Sequence, residues 1–463
     1  MIPPIIQAKI FSKLGSSSSL APLAVKDITN SIGLTTGSYI TGKEEGEDRF
    51  IDEFGTEALW LLGIPGYKGI INLAAFLPQK LDYNFDARNF RNPELKDIII
   101  NNAPNELKDK IKKVYQKEKT YKNLSTAKFG LAVSLAIATY IGLTKFKQKY
   151  TDKNIRESIL AEYAEEQKLK MEQKAENKPE KENKISFTGI GKAIQDFACD
   201  PVKNMWLLDA GISSERILDS RGTQERIGYI FKEGSFFFFM YYFGKVLQDK
   251  LENRAKKVYN KTIGFDSRVI ESPEFRAAFE SNNIAKDLEN FGKIITVFDD
   301  KADDAARMAE EVNIHKFIHA NKDNLVVKTA MKSDLISSYK KLKSNLTIKD
   351  ILSGKLFEKT GEIDTRKYID IENLKNHYNN LKNLLKEYNS RNVATESSEQ
   401  FFNTLKRLKR GAIINNIGSS ILVLGVITPT IMVVKRLLSP NDKEFCRKTE
   451  IRNQLIKEGK ITA

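Results

Sequence analysis

Two cysteines, three histidines, two tryptophans and twelve prolines are few for a chain of 463 residues, and each shortage closes off some chemistry. Cys199 and Cys446 stand far apart with no paired spacing, so neither a disulfide framework nor a cysteine-based metal site is expected. No G-x-x-x-x-G-K-[ST] phosphate loop occurs, and the glycines near Gly33 ("GLTTG") and Gly189 ("GIG") do not complete a dinucleotide fingerprint. A G-x-S-x-G elbow is absent as well. Two of the histidines form "HKFIH", His315 and His319, with Glu311 one turn earlier. On a helix the three line one face, as a metal pair requires, but the glutamate of H-E-x-x-H and a fourth ligand are missing. "DDKADD", Asp299 to Asp304, lacks the glycine and closing glutamate of a calcium loop and reads as the acidic start of a helix. The chain therefore reads as no enzyme, with no cofactor and no metal. Lys9, Lys13 and the serine run after them lead into no apolar core of signal-peptide length, so no cleaved leader is expected.

What is abundant is unevenly placed. The formal net charge is +15 and 29 % of residues are charged, yet the apolar residues gather in four blocks, 56–77, 124–144, 227–247 and 411–434. The last carries no charge and would be about 36 Å long as a helix, against a hydrocarbon core of about 30 Å. It can span a bilayer. The second carries only Lys128, near enough to its end to snorkel, and spans as well. In the first block Lys68 sits mid-segment, where a lysine costs about 2.5–3.5 kcal/mol and each Leu, Ile or Phe returns about 0.3–0.6, so insertion is near balance. Pro65 among Gly63, Gly66 and Gly69 predicts a kinked or broken helix there. The third block, with "GSFFFFMYYFG", encloses Lys232 and Glu233 and leaves too short an uncharged run to cross alone.

Some of this pattern is written twice. "FDARNFRNPELK" from Phe85 is matched by "FDSRVIESPEFR" from Phe265, and upstream "RFIDEFGTE" from Arg49 is matched by "RILDSRGTQ" from Arg216. Each half thus runs R-x-x-D-x-x-G-T, weak apolar block, F-D-x-R with Pro-Glu, strong apolar block, which indicates an internal duplication. Asn92-Pro93-Glu94 and Ser272-Pro273-Glu274 each supply a cap, a first-turn proline and an acid, enough to start a helix. The repeated charges, Arg49, Asp52, Asp86, Arg88 and their counterparts Arg216, Asp219, Asp266, Arg268, suit turn-organising ion pairs better than a shared ligand site.

The fold expected is all-α: a helical integral membrane protein of two related tandem halves, each with a weak and a strong membrane helix. The first half is 1–150, a charged helical linker follows at 151–186, and the second half is 187–463. An insertion at 284–390 is expected to be soluble and helical, since no proline lies between Glu274 and Thr428 and Ile371, Leu374, Tyr378, Leu381, Leu385 and Tyr388 recur at coiled-coil-like spacing. Small residues every fourth position, Gly130, Ser134, Ala138 and Gly142, and every seventh, Gly411, Gly418 and Gly425, predict that the two strong helices pack face to face. The partners expected are the lipid bilayer and a protein at the insertion. Basic "LKRLKR", Leu405 to Arg410, abuts a span, which favours anionic headgroups over nucleic acid.

A multi-pass protein of a bacterial cytoplasmic membrane, acting as an embedded scaffold or binding protein, is the first functional expectation. The alternative is a small-solute transporter or channel with a site between the halves and an intramembrane polar site at Lys68, Lys232 and Glu233, because ionisable groups within a membrane are costly and functional. Lysines and arginines flanking the spans balance on the two sides, so orientation and oligomeric state are not fixed by the sequence.

Overall fold

The structure, a computed structural model, describes residues 11, 14–15, 20–167, 199–220, 223–295, 304–343, 345, 356–438 and 446–462. Most of the linker, the "GIG" at Gly189, Asp299 to Asp303 of the acidic run, and the side chain of Cys446 lie outside the described residues.

The protein is mostly helical with few strands. In chain order the helices are α1 (Ala21–Thr41), α2 (Lys43–Ala58), α3 (Ile64–Ile71), α4 (Leu95–Asn101), α5 (Asn105–Gln116), α6 (Glu118–Gln167), α7 (Pro201–Leu218), α8 (Thr223–Phe237) and α9 (Gly244–Tyr259). Then come α10 (Ser267–Ile270), α11 (Pro273–Glu280), α12 (Asn283–Ile295), α13 (Asp304–Ala320) and α14 (Leu325–Lys332). The strands β1 (Ser338–Leu342) and β2 (Phe357–Ile363) precede α15 (Ile371–Asn389), α16 (Ser398–Leu422), α17 (Thr428–Leu438) and α18 (Cys446–Lys457). Two compact units are formed, and each draws on both sequence halves: unit 1 holds 1–19, 71–127 and 247–415, and unit 2 holds 20–70, 128–246 and 416–463.

Unit 1 is built as water-soluble proteins are. Phe265, Phe275, Phe279, Phe291, Phe401 and Phe402 are buried with aliphatic residues of α12 to α16. A second cluster gathers Phe76, Phe85, Phe90, Ile111 and Tyr121, whose phenol reaches the carbonyls of Asp82 and Phe85 at 2.9 and 2.7 Å. The insertion departs from the all-helical expectation: β1 and β2 pair antiparallel with Ser338 opposite Ile363. Absence of proline excluded helix breakers but not strands, and Gly361, at φ 79°, takes a left-handed backbone that a helix interior does not allow.

Unit 2 buries many polar side chains beside an apolar cluster of Leu59, Trp60, Leu208 and Phe236, and exposes many apolar ones. On α1 Val25, Ile28, Ile32, Thr36, Tyr39 and Ile40 are exposed, while Lys26, Asn30, Ser31, Thr35 and Ser38 are buried with Leu23 and Leu34. On α2 Asp48, Asp52, Glu53 and Glu57 are buried and Phe50 is exposed; on α8 Lys232 and Glu233 are buried while Ile227, Ile230 and Phe231 are exposed. Three helical stretches, Lys43–Phe76, Glu118–Ala164 and Ser398–Lys435, are long and apolar enough to cross a membrane by length and composition.

Two of these stretches contain a proline that does not break them. Pro65 follows the π-turn Leu59–Gly63 and Pro429 follows the π-turn Val423–Ile427. In each case the carbonyl four residues back, of Leu61 or Gly425, belongs to the widened turn, which absorbs the missing N–H and the ring. The helix therefore runs on through Pro65 and is not broken there, as one of the two expectations had it. The small-residue faces also behave differently from expectation. Gly130, Ser134, Ala138 and Gly142 are exposed, and α6 instead buries the stripe Phe129, Ala132, Ala136, Tyr140, Thr144, Lys147. Gly425 meets α1, not α6: a Cβ on Gly33 would lie 2.2 Å from the Gly425 oxygen. Close backbone approach explains both glycines.

Two histidines of unit 1 are buried. His377 is 5 % exposed with Nε2 2.7 Å from Thr329 Oγ1, and His315 is 3 % exposed with neither ring nitrogen hydrogen-bonded. Burial pushes each imidazole down from 6.5 to about 4. Below pH 6.5 the unfolded chain takes up these protons and the folded chain does not, so stability is full above that pH and falls towards pH 4. The expected loss is about 1.4 kcal/mol per pH unit for each histidine. His319 is lowered to about 4 as well, so amide hydrogen exchange of α13 and α15 in the full chain, followed from pH 7 to 5, should show the loss from all three, and His377→Asn should reduce the slope by about a third.

Candidate functional site

Four helices of unit 2 each turn inward a face bearing polar residues, spaced i, i+3, i+4 on α1 and α2 and i, i+4, i+7 on α7, spacings that align side chains on a helix. They are Asp27, Asn30 and Ser31 on α1; Glu53, Thr56 and Glu57 on α2; Asp209, Ser213 and Arg216 on α7; and Lys232, Glu233 and Phe236 on α8. Together they enclose a cavity of about 20 Å³, room for a single water molecule.

Arg216 is the hub of the charges. It is 8 % exposed and its NH1 lies 2.9 Å from Glu233 Oε1. Its Nε donates to the Tyr140 hydroxyl at 2.8 Å, and that hydroxyl donates to Asp52 Oδ1 at 2.8 Å. Its NH2 donates to Thr56 Oγ1 at 3.1 Å and lies 3.9 Å from Glu53. Lys232 is hydrogen-bonded to Glu53 and lies 3.2 Å from Glu233. Lys147 reaches Asp52 at 3.5 Å and Asp48 at 3.7 Å, and Arg49 reaches Glu53 at 3.6 Å. Four cations, Arg49, Lys147, Arg216 and Lys232, thus meet four carboxylates, Asp48, Asp52, Glu53 and Glu233. The paired network is neutral.

Three carboxylates are left over. Among the described residues Asp27, Glu57 and Asp209 enter no ion pair, and all three line the cavity. Ser31 donates to Glu57 Oε1 at 3.0 Å, Tyr241 donates to Asp209, and the other Glu57 oxygen has no donor. Buried carboxylates without a counter-charge are strongly unfavourable, so the site demands a proton or a cation. The cavity is also built alike on two sides. Asp27-x-x-x-Ser31 on α1 corresponds to Asp209-x-x-x-Ser213 on α7, and each serine donates to a glutamate of the next helix, Glu57 or Glu233.

Of the residues singled out in the sequence, Arg49, Asp52, Arg216, Lys232 and Glu233 come together here. Lys68 does not: it lies half-buried on α3, outside the cavity lining. Asp219 closes α7 and is exposed. Arg49 lies within α2 whereas Arg216 ends α7, so those two R-x-x-D stretches occupy different elements. The F-D-x-R stretches do share a geometry, in unit 1. Asp86 Oδ1 accepts from the Arg88 backbone N at 3.0 Å and its Nε at 3.1 Å, and Asp266 holds Arg268 in the same way at 2.8 and 3.0 Å. A third copy escaped the sequence reading: Asp364 and Arg366 repeat the fork at 3.2 and 2.8 Å, and Arg366 also reaches Asp82 at 3.1 Å. These are local clamps in which the aspartate caps the turn and fixes its arginine. The histidine pair has rings 6.4 Å apart, and Glu311 is taken by Asn92 at 3.0 Å.

Asp27, Glu53, Glu57, Asp209, Asp48, Lys147 and Tyr140 are among the site residues the sequence reading missed. The shared D-x-x-x-S of α1 and α7 was the available signal.

Removing the hub should expose its importance. Arg216→Met leaves Asp52, Glu53 and Glu233 short of a cation and should destabilise the protein by about 3–5 kcal/mol, whereas the double change Arg216→Met with Glu233→Gln should recover part of that loss. Unfolding of the detergent-purified chain by SDS titration measures both. Comparisons with family models, with characterised proteins and with solved structures found no match, so the chemistry of the site is read from its geometry.

Proposed function

We propose that the chain is a multi-pass membrane protein whose unit 2 moves a small cation across the bilayer. Unit 2's exposed apolar faces suit lipid, and its buried charges suit a passage shielded from lipid. The four stretches 56–77, 124–144, 227–247 and 411–434 form the membrane part, with Lys232 and Glu233 satisfied by neighbouring helices. Unit 1, with its aromatic core, is the soluble body.

The single observation that carries the transport reading is the surplus of three carboxylates, Glu57 and Asp209 buried and Asp27 half-buried, around a cavity of about 20 Å³. An embedded scaffold has use for the neutral four-to-four network, but none for uncompensated charge. The cavity admits a proton or a monatomic ion and excludes organic solutes. Its lining comes from α1 and α2 of the first half and α7 and α8 of the second, which is where duplicated transporters place their sites. The π-turns of unit 2, at Leu59–Gly63, Phe238–Phe243 and Val423–Ile427, give these helices loosened turns of the kind found at functional positions.

Purified full chain in liposomes, placed on a supported membrane, should give transient currents on a jump in proton, sodium or potassium concentration. Asp209→Asn should cut the current at least tenfold while the protein still inserts. Absence of current under every one of the three gradients would overturn the transport reading.

A further inference from the structure

One π-turn beside the cavity has no counterpart to the prolines that account for the others. Among the described residues four π-turns occur, and three end two residues ahead of a proline: Leu59–Gly63 before Pro65, Asn72–Phe76 before Pro78 and Val423–Ile427 before Pro429. The fourth, Phe238–Phe243, has Lys245 at that place, and no proline follows until Pro273. A proline pins a widened turn where it stands, because its ring and missing N–H are accommodated only there. The fourth turn has no such pin. We propose that this turn slides along its helix and that Tyr241, which it carries, is thereby the gate of Asp209. The proposal rests on the transport reading for what the gate admits, but its movement is measured without any flux.

The Tyr241 hydroxyl donates to Asp209 Oδ2, and that carboxylate is buried, lines the cavity and enters no ion pair among the described residues. Held there, the phenol occupies an oxygen that a cation would use. When a widened turn moves along a helix, each residue it passes rotates by about 100°, one residue's share of a 3.6-residue turn. That rotation swings the Tyr241 hydroxyl off Asp209 and opens the carboxylate to the cavity.

The surroundings set the direction of the slide. Gly244 follows the turn directly, and a Cβ there would lie 2.8 Å from Asn416 Oδ1 and 3.0 Å from Lys26 Nζ, so no other residue can take its place. Movement into α9 is thereby blocked. On the other side Lys232 and Glu233 are tied to Glu53 and Arg216, which confines the slide to the end of α8. Between these limits the chain reads "GSFFFFMYYF". A shift of one residue puts one phenylalanine of Phe236 to Phe239 where its neighbour stood, so both registers fill nearly the same space. Repeated aromatics at this place serve a helix that must pack in two registers, a need that a fixed helix does not have.

Fluorine NMR of the detergent-purified full chain tests the movement, with the exposed Phe238 replaced by 4-trifluoromethylphenylalanine. Lys245→Pro restores the two-residue spacing of the other three turns and should hold the signal at the position of the closed register. Tyr241→Phe removes the bond to Asp209 and should move the signal the other way, with the otherwise unaltered chain between the two. Identical spectra in all three chains would overturn the gate. If Lys245→Pro fails to fold, the unaltered chain and Tyr241→Phe still decide it, since identical spectra in that pair reject the slide. In liposomes Lys245→Pro should cut the current at least tenfold while Tyr241→Phe retains it. A Tyr241 that only braces the fold would give the opposite pattern and overturn the proposal. Spectral movement without currents in the unaltered chain sinks the transport reading and leaves the slide standing; currents with a fixed spectrum do the reverse.

Discussion

A charge buried away from water must be met by another charge, a proton or a dense set of hydrogen bonds, and unit 2 is organised around that constraint. Arg216 satisfies it by spreading its guanidinium over Glu233, Asp52, the Tyr140 hydroxyl and Thr56. The acids it gathers come from α2 and α8, and the phenol from α6, so one side chain of α7 ties four helices together. Lys232 and Lys147 then neutralise what Arg216 leaves. Such a network gives little net stability compared with well-packed apolar residues, since desolvating the ions offsets their attraction. Its effect is specificity: few other packings of these helices would match these four cations with these four carboxylates.

The outside of unit 2 follows from its inside. A helix that turns Asp27, Asn30 and Ser31 inward has Val25, Ile28 and Ile32 left for its outer face. In water that arrangement would be unfavourable on both counts, because apolar area would stay hydrated while charges were dehydrated. In lipid the apolar faces are at home and the interior charges must pair. The prolines fit the same economy of hydrogen bonds. Pro65 and Pro429 each remove a donor from a long apolar helix, and a π-turn ahead of each spreads the cost. At Gly425 the carbonyl so released faces Gly33 of α1, where any side chain would collide.

Helix content and the three long apolar stretches were legible because they depend on local composition and period. The charges Lys232 and Glu233 stood out because they interrupt the apolar block 227–247, just ahead of "FFFFMYYF". Asp27 and Glu57 did not, because α1 is too polar on average to register as an apolar block and Glu57 sits at the edge of one. Their significance lies in what they face, and facing is tertiary. The buried stripe of α6 was missed for a related reason. Small residues mark one face of that helix and Ala132, Ala136 and Tyr140 another, and only the partners decide between them. The β1–β2 hairpin was missed because its strands are short and polar, with Glu358, Lys359 and Glu362 exposed. The fork of Asp364 and Arg366 went unread because no phenylalanine precedes it as at Phe85 and Phe265.

The central claim is that the exposed apolar faces of unit 2 meet lipid while its charges are sealed inside. Nitroxide side chains placed singly at Ile32, Leu131 and Ile230, which are 51 %, 54 % and 52 % exposed, test it directly in the reconstituted full chain. The account predicts frequent collision with molecular oxygen and almost none with a water-soluble nickel chelate at all three positions. Free collision with the chelate at these positions would place the faces in water and contradict it.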